Sequence, residues 1–164
     1  MLTALEAQAF LYRESRLLDA WDLRAWQALL TEDMVHWVPV NDDESEPDQH
    51  LAIVYDDRAR VDGRVWRLLE SGMNHTQDPR SKTLRFISNV ECEDGPTAGE
   101  AIVRCNLLLY EYRSGGSRRN IVPNIHPARC VYRLRAGEGG WKIAYKKVSL
   151  LLMDAQLPPM SFLI

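Results

Sequence analysis

The sequence predicts an α+β fold, with three N-terminal helices packed on one side of a curved antiparallel sheet. The first part of the chain carries helix-spaced apolar residues and capping signals, while the second carries long runs with period-two alternation. Turns at Gly95-Pro96, Ser114-Gly115-Gly116 and residues 137–140 separate those runs, which favours a meander of hairpins. Helices first and strands afterwards segregate into layers. A curved sheet wrapped over the helices makes a cone with an interior cavity. At 164 residues the chain is expected to form a single domain, 1–164, with a core of its own.

Residues 3–19 read as a helix, with Leu5, Ala9, Tyr12 and Leu17 roughly on one stripe. Asp22 is placed to cap a second, short helix carrying Leu23, Trp26, Leu29 and Leu30. Thr31-Glu32-Asp33 ends it, and residues 34–40 follow as an extended run stopped at Pro39. Residues 41–48, NDDESEPD, are too polar to bury and form a solvated loop. A short strand follows at 50–55, and Asp56-Asp57 opens a third helix, where carboxylates suit the dipole. Val61, Val65, Leu68 and Leu69 form its apolar stripe, with Arg60, Arg64, Arg67 and Glu70 facing away. Gly63 costs that helix about 1 kcal/mol relative to Ala, which points to close packing there; Gly72 stops it. Strands are expected at 82–93, 100–113, 129–135 and 141–152. Ala101, Val103, Cys105, Leu107 and Leu109 share one face of the second, and Trp141, Ile143 and Tyr145 one face of the last.

With 46% hydrophobic and 26% charged residues, nine Gly and eight Pro, the composition excludes disordered, collagenous and disulfide-scaffold proteins. No apolar run approaches the ~20 residues that span a bilayer, and the N-terminal residues lack a secretory pattern. A cytoplasmic protein with no membrane contact is expected. The net charge of −3 divides unevenly: residues 1–100 carry −10 and residues 101–164 carry +7. Opposite patches of this kind suit a face turned toward a partner or a neighbouring subunit. Nucleic acid is not an expected partner, because the basic residues are dispersed and the pI is near 5.8.

Cys92, Cys105 and Cys130 form no CxxC and read as reduced, buried thiols. His36, His50, His75 and His126 lack the i,i+2 or i,i+4 spacing that sets two imidazoles on one metal. Acid–base candidates are Asp33, His36, Tyr55, Asp56, Asp57 and His75. Proton-transfer chemistry needs two or three of them on one small volume. The sequence holds no G-x-S-x-G elbow and no glycine-rich phosphate cradle before a helix. Trp66, on the flank of the third helix's stripe, is an interface candidate.

Taken in order, several segments carry a specific resemblance. Trp26-x-x-Leu29-Leu30-x-x-Asp33-x-x-x-Trp37-Val38-Pro39 precedes Tyr55-Asp56-Asp57-Arg58 and Arg64-Val65-x-Arg67-Leu68. Asp78-Pro79-Arg80-Ser81-Lys82-Thr83, Ser88-Asn89-Val90, Arg133-Leu134-Arg135 and Gly140-Trp141-Lys142-Ile143-Ala144 follow. The set resembles the β (small) subunit of bacterial aromatic-ring-hydroxylating dioxygenases, the Rieske non-haem iron oxygenases. Leu84, residues 117–127 and the apolar ending at 150–154 depart from the pattern.

The resemblance implies a cystatin-like, nuclear transport factor-like cone and an assembly of three α with three β chains, the β chains meeting as a trimer. It implies a structural β subunit without a catalytic centre. The Rieske iron–sulfur cluster and the mononuclear non-haem iron would lie on the partner α subunit, supplied with electrons from NAD(P)H. Arg64, Trp66 and Arg67 are the expected partner contacts. Two other readings stand beside it. One is a stand-alone cone-fold isomerase, dehydratase or cyclase using Asp33, His36, Tyr55 and His75. The other is a small-molecule binding module.

Overall fold

Thr3 opens the first helix, α1 (Ala4–Asp19), through a capping box: its side chain accepts from the Glu6 amide, and its own amide donates to the Glu6 carboxylate at 2.8 Å. The structure, a computed structural model, describes residues 1–40, 52–72, 74–113, 123–151 and 160–164. The buried stripe of α1 is Ala7, Leu11, Glu14 and Leu18, while Leu5 is 75% exposed and Tyr12 40%. The expected stripe through Leu5, Ala9, Tyr12 and Leu17 is therefore wrong. The true one has helical spacing but contains a buried carboxylate, which hid it from a hydrophobicity pattern.

Asp22 caps α2 (Leu23–Gln27), its carboxylate accepting from the Ala25 amide at 3.2 Å. Leu29 and Leu30 fall outside this helix. Strand β1 (Leu30–Pro39) starts directly, because Leu30 already pairs with Ile143 of the last strand. Strand β2 (Ala52–Asp57) returns antiparallel to β1 and contains Asp56 and Asp57. Asp57 then caps α3 (Arg58–Leu69), accepting from the Arg60 amide at 2.9 Å. A Cβ at Gly63 would meet nothing within 4 Å, so close packing is not what places glycine there.

Strands β3 (Lys82–Asp94), β4 (Glu100–Tyr112), β5 (Asn124–Gly137) and β6 (Gly140–Leu150) form the expected antiparallel meander. β5 begins before Arg129 and includes Pro127. Pro127 stands opposite Leu108 of β4, and on the β6 side its carbonyl accepts from the Leu151 amide at 3.0 Å, so the missing proline N–H leaves it bonded through its oxygen. Sheet order is β2-β1-β6-β5-β4-β3, and β1 runs parallel to β6. The sheet is thus mixed; no hairpin joins these two strands, so chain connectivity leaves their relative direction open.

Helix α1 lies against β3, and α3 against β1 and β2, on the same face. Leu11, Trp26, Val65, Leu109, Tyr132 and Ile143 are among the side chains filling the space between the layers. Two bulges adjust which residues reach that core. Asn89, at φ +53°, marks the break in β3 between Ser88 and Glu91, a conformation asparagine tolerates. The second break, beside Leu134, turns Tyr145 to the open face, where the Arg133 guanidinium lies 6.0 Å from its ring centre. Trp141 and Ile143 keep the expected inner face and Tyr145 does not.

The acidic loop at 41–48, His50 at the start of the 50–55 strand, the turn at 114–116, residues 117–122 and the end of the 141–152 strand lie outside the described residues. Among the described residues no helix is long and apolar enough to cross a membrane.

Candidate functional site

The inner face carries a row of polar side chains at positions where the strand pattern demands apolar ones. Cross-strand register sets Asp56 beside His36, His36 beside Lys146, and Lys146 beside Tyr132. All four are buried. Glu14 descends on the row from α1 and accepts from Lys146 Nζ at 2.9 Å, the Tyr132 hydroxyl at 2.9 Å and Trp26 Nε1 at 3.2 Å. Burial pushes the Glu14 carboxyl upward, but the Lys146 charge and these three donors together hold it below the ordinary value. Burial first, then the Glu14 charge, drives the Tyr132 phenol well above its ordinary value. Charged partner and donors occupy this carboxylate, which leaves it poorly suited to take a substrate proton.

Asp56 is bonded by the Arg64 guanidinium, with Nη2 3.2 Å from Oδ1. Arg64 therefore reaches toward the sheet instead of facing away. His36 stands between these two ion pairs with neither ring nitrogen hydrogen-bonded. Burial, followed by the Lys146 and Arg64 charges, lowers its pKa to about 3, so the imidazole is neutral at physiological pH.

The other acid–base candidates are elsewhere. Asp33 is exposed and accepts from Arg135 Nη1 at 2.9 Å on both oxygens; that bonding, then Thr31, lowers its pKa. Tyr55 is 42% exposed and lies beside Trp37, on the sheet face opposite to His36. His75 is exposed in a short 3-10 turn, His75–Gln77. Asp57 serves as the α3 cap. Of Asp33, His36, Tyr55 and His75, only His36 is inside the layers, and the structure does not bring the four together.

A second buried network lies at the far end of β4. Glu111 accepts from Ser81 Oγ at 2.6 Å and Asn124 Nδ2 at 2.9 Å, with His126 Nε2 3.9 Å away. Burial raises the Glu111 carboxyl, yet His126, Ser81 and Asn124 outweigh it and hold the pKa at about 2. Gln77 ties the network to the last residues of the chain, donating to Ser81 Oγ at 3.1 Å and Ser161 Oγ at 2.6 Å. Sequence reasoning missed Glu14, Lys146, Glu111 and His126. The available signal was a polar residue at an apolar register position, as in Leu107, Leu109, Glu111 along β4.

Beside this network, α3 and residues 160–163 enclose a groove of about 370 Å³. Arg64, Arg67 and Leu68 form one wall; Met160, Ser161 and Phe162 form the other. Trp66 points away from it and is 50% exposed.

A Rieske centre takes two Cys and two His, and a mononuclear non-haem iron takes two His and a carboxylate. Neither donor set is assembled here: among the described residues no group of three or more His, Cys, Asp or Glu could hold a metal ion. Cys105 and Cys130 face each other across β4 and β5, and both are buried.

Comparison with known proteins identifies relatives over most of the chain. The small oxygenase component of a p-cumate 2,3-dioxygenase system from Pseudomonas putida is 34% identical over 151 residues, 91% of this chain and 79% of that protein. The β subunit of benzoate 1,2-dioxygenase from Burkholderia mallei superposes with a TM-score of 0.78 at 27% identity, covering 99% of each chain. An NTF2-like protein with a cystatin-like fold from Novosphingobium aromaticivorans superposes at 0.54 with 18% identity, covering 89% of this chain and 80% of that one, and shares the fold alone. The family model of the ring hydroxylating beta subunit matches residues 13–154, and this chain belongs to that family.

Proposed function

We propose that this chain is the structural, non-catalytic small subunit of a multicomponent aromatic-ring-hydroxylating dioxygenase that takes part in aromatic compound catabolism. One observation carries the reading beyond family membership: the interior carboxylates are spent on neighbouring donors, and the buried His36 has no acid–base partner bonded to it. Glu14 is bonded to Lys146, Tyr132 and Trp26, Asp56 is bonded to Arg64, and Asp33, Tyr55 and His75 lie on other surfaces. The catalytic groups of the system then belong to a larger α subunit, which holds the Rieske cluster and the mononuclear iron and draws electrons from NAD(P)H. Three α and three β chains form the cytoplasmic assembly, the β chains meeting as a trimer.

The α contact includes α3 through Trp66, which does not line the groove that holds Arg64 and Arg67. Tryptophan and arginine dominate the energetics of protein interfaces, and Trp66 offers a half-exposed indole on a helix with polar flanks. Native mass spectrometry with iron analysis of the tagged chain, purified from its own host, tests the assignment. Co-purification of a larger iron-containing chain in equal number is expected. A lone, iron-free β oligomer from induced cells would overturn it. Trp66→Ala is expected to weaken α association by about 2 kcal/mol while leaving the urea midpoint of the isolated chain within about 0.5 kcal/mol of the parent.

A further inference from the structure

The groove between α3 and residues 160–163 has the chemistry of a ligand site that the subunit role does not use. Its volume of about 370 Å³ falls in the range of small-molecule pockets. Among the described residues, two guanidiniums line it and no carboxylate does. The Arg64 charge is matched by Asp56. Arg67 is different: among the described residues its guanidinium makes no hydrogen bond or ion pair, and it is exposed at the groove. Among the described residues the groove therefore holds one uncompensated positive charge with a planar donor fork, the geometry that suits a carboxylate.

The remaining lining divides into apolar and polar halves. Leu68, Met160 and Phe162 supply an aliphatic side chain, a thioether and an aromatic ring, a set that favours a flat apolar body. Asn74, Thr76 and Ser161 add side-chain amide and hydroxyl groups.

The walls are anchored from below. Ser161 Oγ accepts from Gln77 Nε2 at 2.6 Å and donates to the Thr76 carbonyl at 3.2 Å. Arg85 donates to the Leu163 carbonyl, and the Phe162 ring meets the buried His126 edge-on at 5.9 Å. Arg64 is held in place by Asp56. Anchored walls with one unpartnered cationic fork are the arrangement of a prepared site.

We infer that this groove binds a small aromatic carboxylate, its ring against Phe162, Met160 and Leu68 and its carboxylate on Arg67. The site belongs to this chain alone. Its test stands apart from the subunit assignment, which co-purification decides.

Isothermal titration of the full chain with sodium benzoate, at constant ionic strength, tests the inference. Benzamide removes the charge and keeps the ring; acetate keeps the charge and removes the ring. Saturable one-to-one binding of benzoate is expected, with each of the two analogues weaker by about tenfold or more. Arg67→Ala is expected to weaken benzoate by about tenfold or more, and Lys142→Ala, remote from the groove, to leave it unchanged. Arg67 is exposed, so its loss leaves the fold intact, and a matching urea midpoint verifies this. Absence of saturable binding overturns the inference. So do acetate equal to benzoate, benzamide equal to benzoate, or an Arg67→Ala chain that binds as well as the parent.

Discussion

Gly63 sits in the interior of α3, where a Cβ would touch nothing within 4 Å and the backbone is right-handed helical. Replacing it by alanine lowers the entropy of the unfolded chain without straining the folded one. Gly63→Ala is expected to stabilise the protein by about 0.4–1 kcal/mol, read as a higher urea midpoint at unchanged slope. A lower midpoint would mean that the position is needed as glycine after all. Asp33 makes the opposite point about function. Its carboxylate takes two bonds from Arg135, but it is exposed, and exposed pairs contribute little. Asp33→Ala is expected to cost no more than about 1 kcal/mol, measured in the same titration. Asp33 and His36 stand only three residues apart in the sequence. Strand geometry separates them, because His36 turns into the core while Asp33 remains at the surface. That separation depends on where β1 begins, which the sequence signals of α2 placed too late.

Between elements, the Glu14–Lys146 pair joins α1 to β6 through the centre of the molecule. Both side chains are 3% exposed, so each charge depends on the other for its stability. Lys146→Met leaves a buried carboxylate without its counter-charge and is expected to cost about 3–5 kcal/mol. Adding Glu14→Gln removes that charge and is expected to restore most of the loss, as a double-mutant cycle by urea denaturation would show. Independent, additive losses would mean that the two side chains do not stabilise one another. The same pair explains what was legible at this scale. Capping at Asp22, the carboxylates at the start of α3, the alternation of β4 and the turns at Gly95-Pro96 and residues 137–140 are local signals, and those elements were readable. The α1 stripe was not, since a charged residue at its centre makes sense only once Lys146, 132 positions away, is beside it. The parallel β1–β6 pairing is equally non-local. It rests on a free edge of β6 that exists only after the meander has formed.

For the whole molecule, these buried groups set the response to acid. His36 takes up its proton only near pH 3 in the folded chain, against about 6.5 for the ordinary imidazole. Between those values the unfolded chain binds a proton that the folded chain excludes, so stability falls as pH drops from about 6.5 toward 3. Glu111 acts lower in the scale. Its folded pKa of about 2 lies below the ordinary 4.5, so its contribution is complete above 4.5 and is lost as pH falls toward 2. The two windows separate between pH 4.5 and 6.5, where His36 acts and Glu111 does not. Urea denaturation at successive pH values across that interval reads the proton difference directly as the slope of stability. His36→Leu removes two unbonded nitrogens along with the titration. It is expected to lower that slope by up to about 1.4 kcal/mol per pH unit and to move the acid midpoint downward. An unchanged slope would place the proton elsewhere. The cone fold could be inferred from the order of elements and the family motifs, whereas this sensitivity could not. It arises because cross-strand register sets an imidazole between Lys146 and Asp56, with Arg64 behind, and leaves it no donor or acceptor of its own.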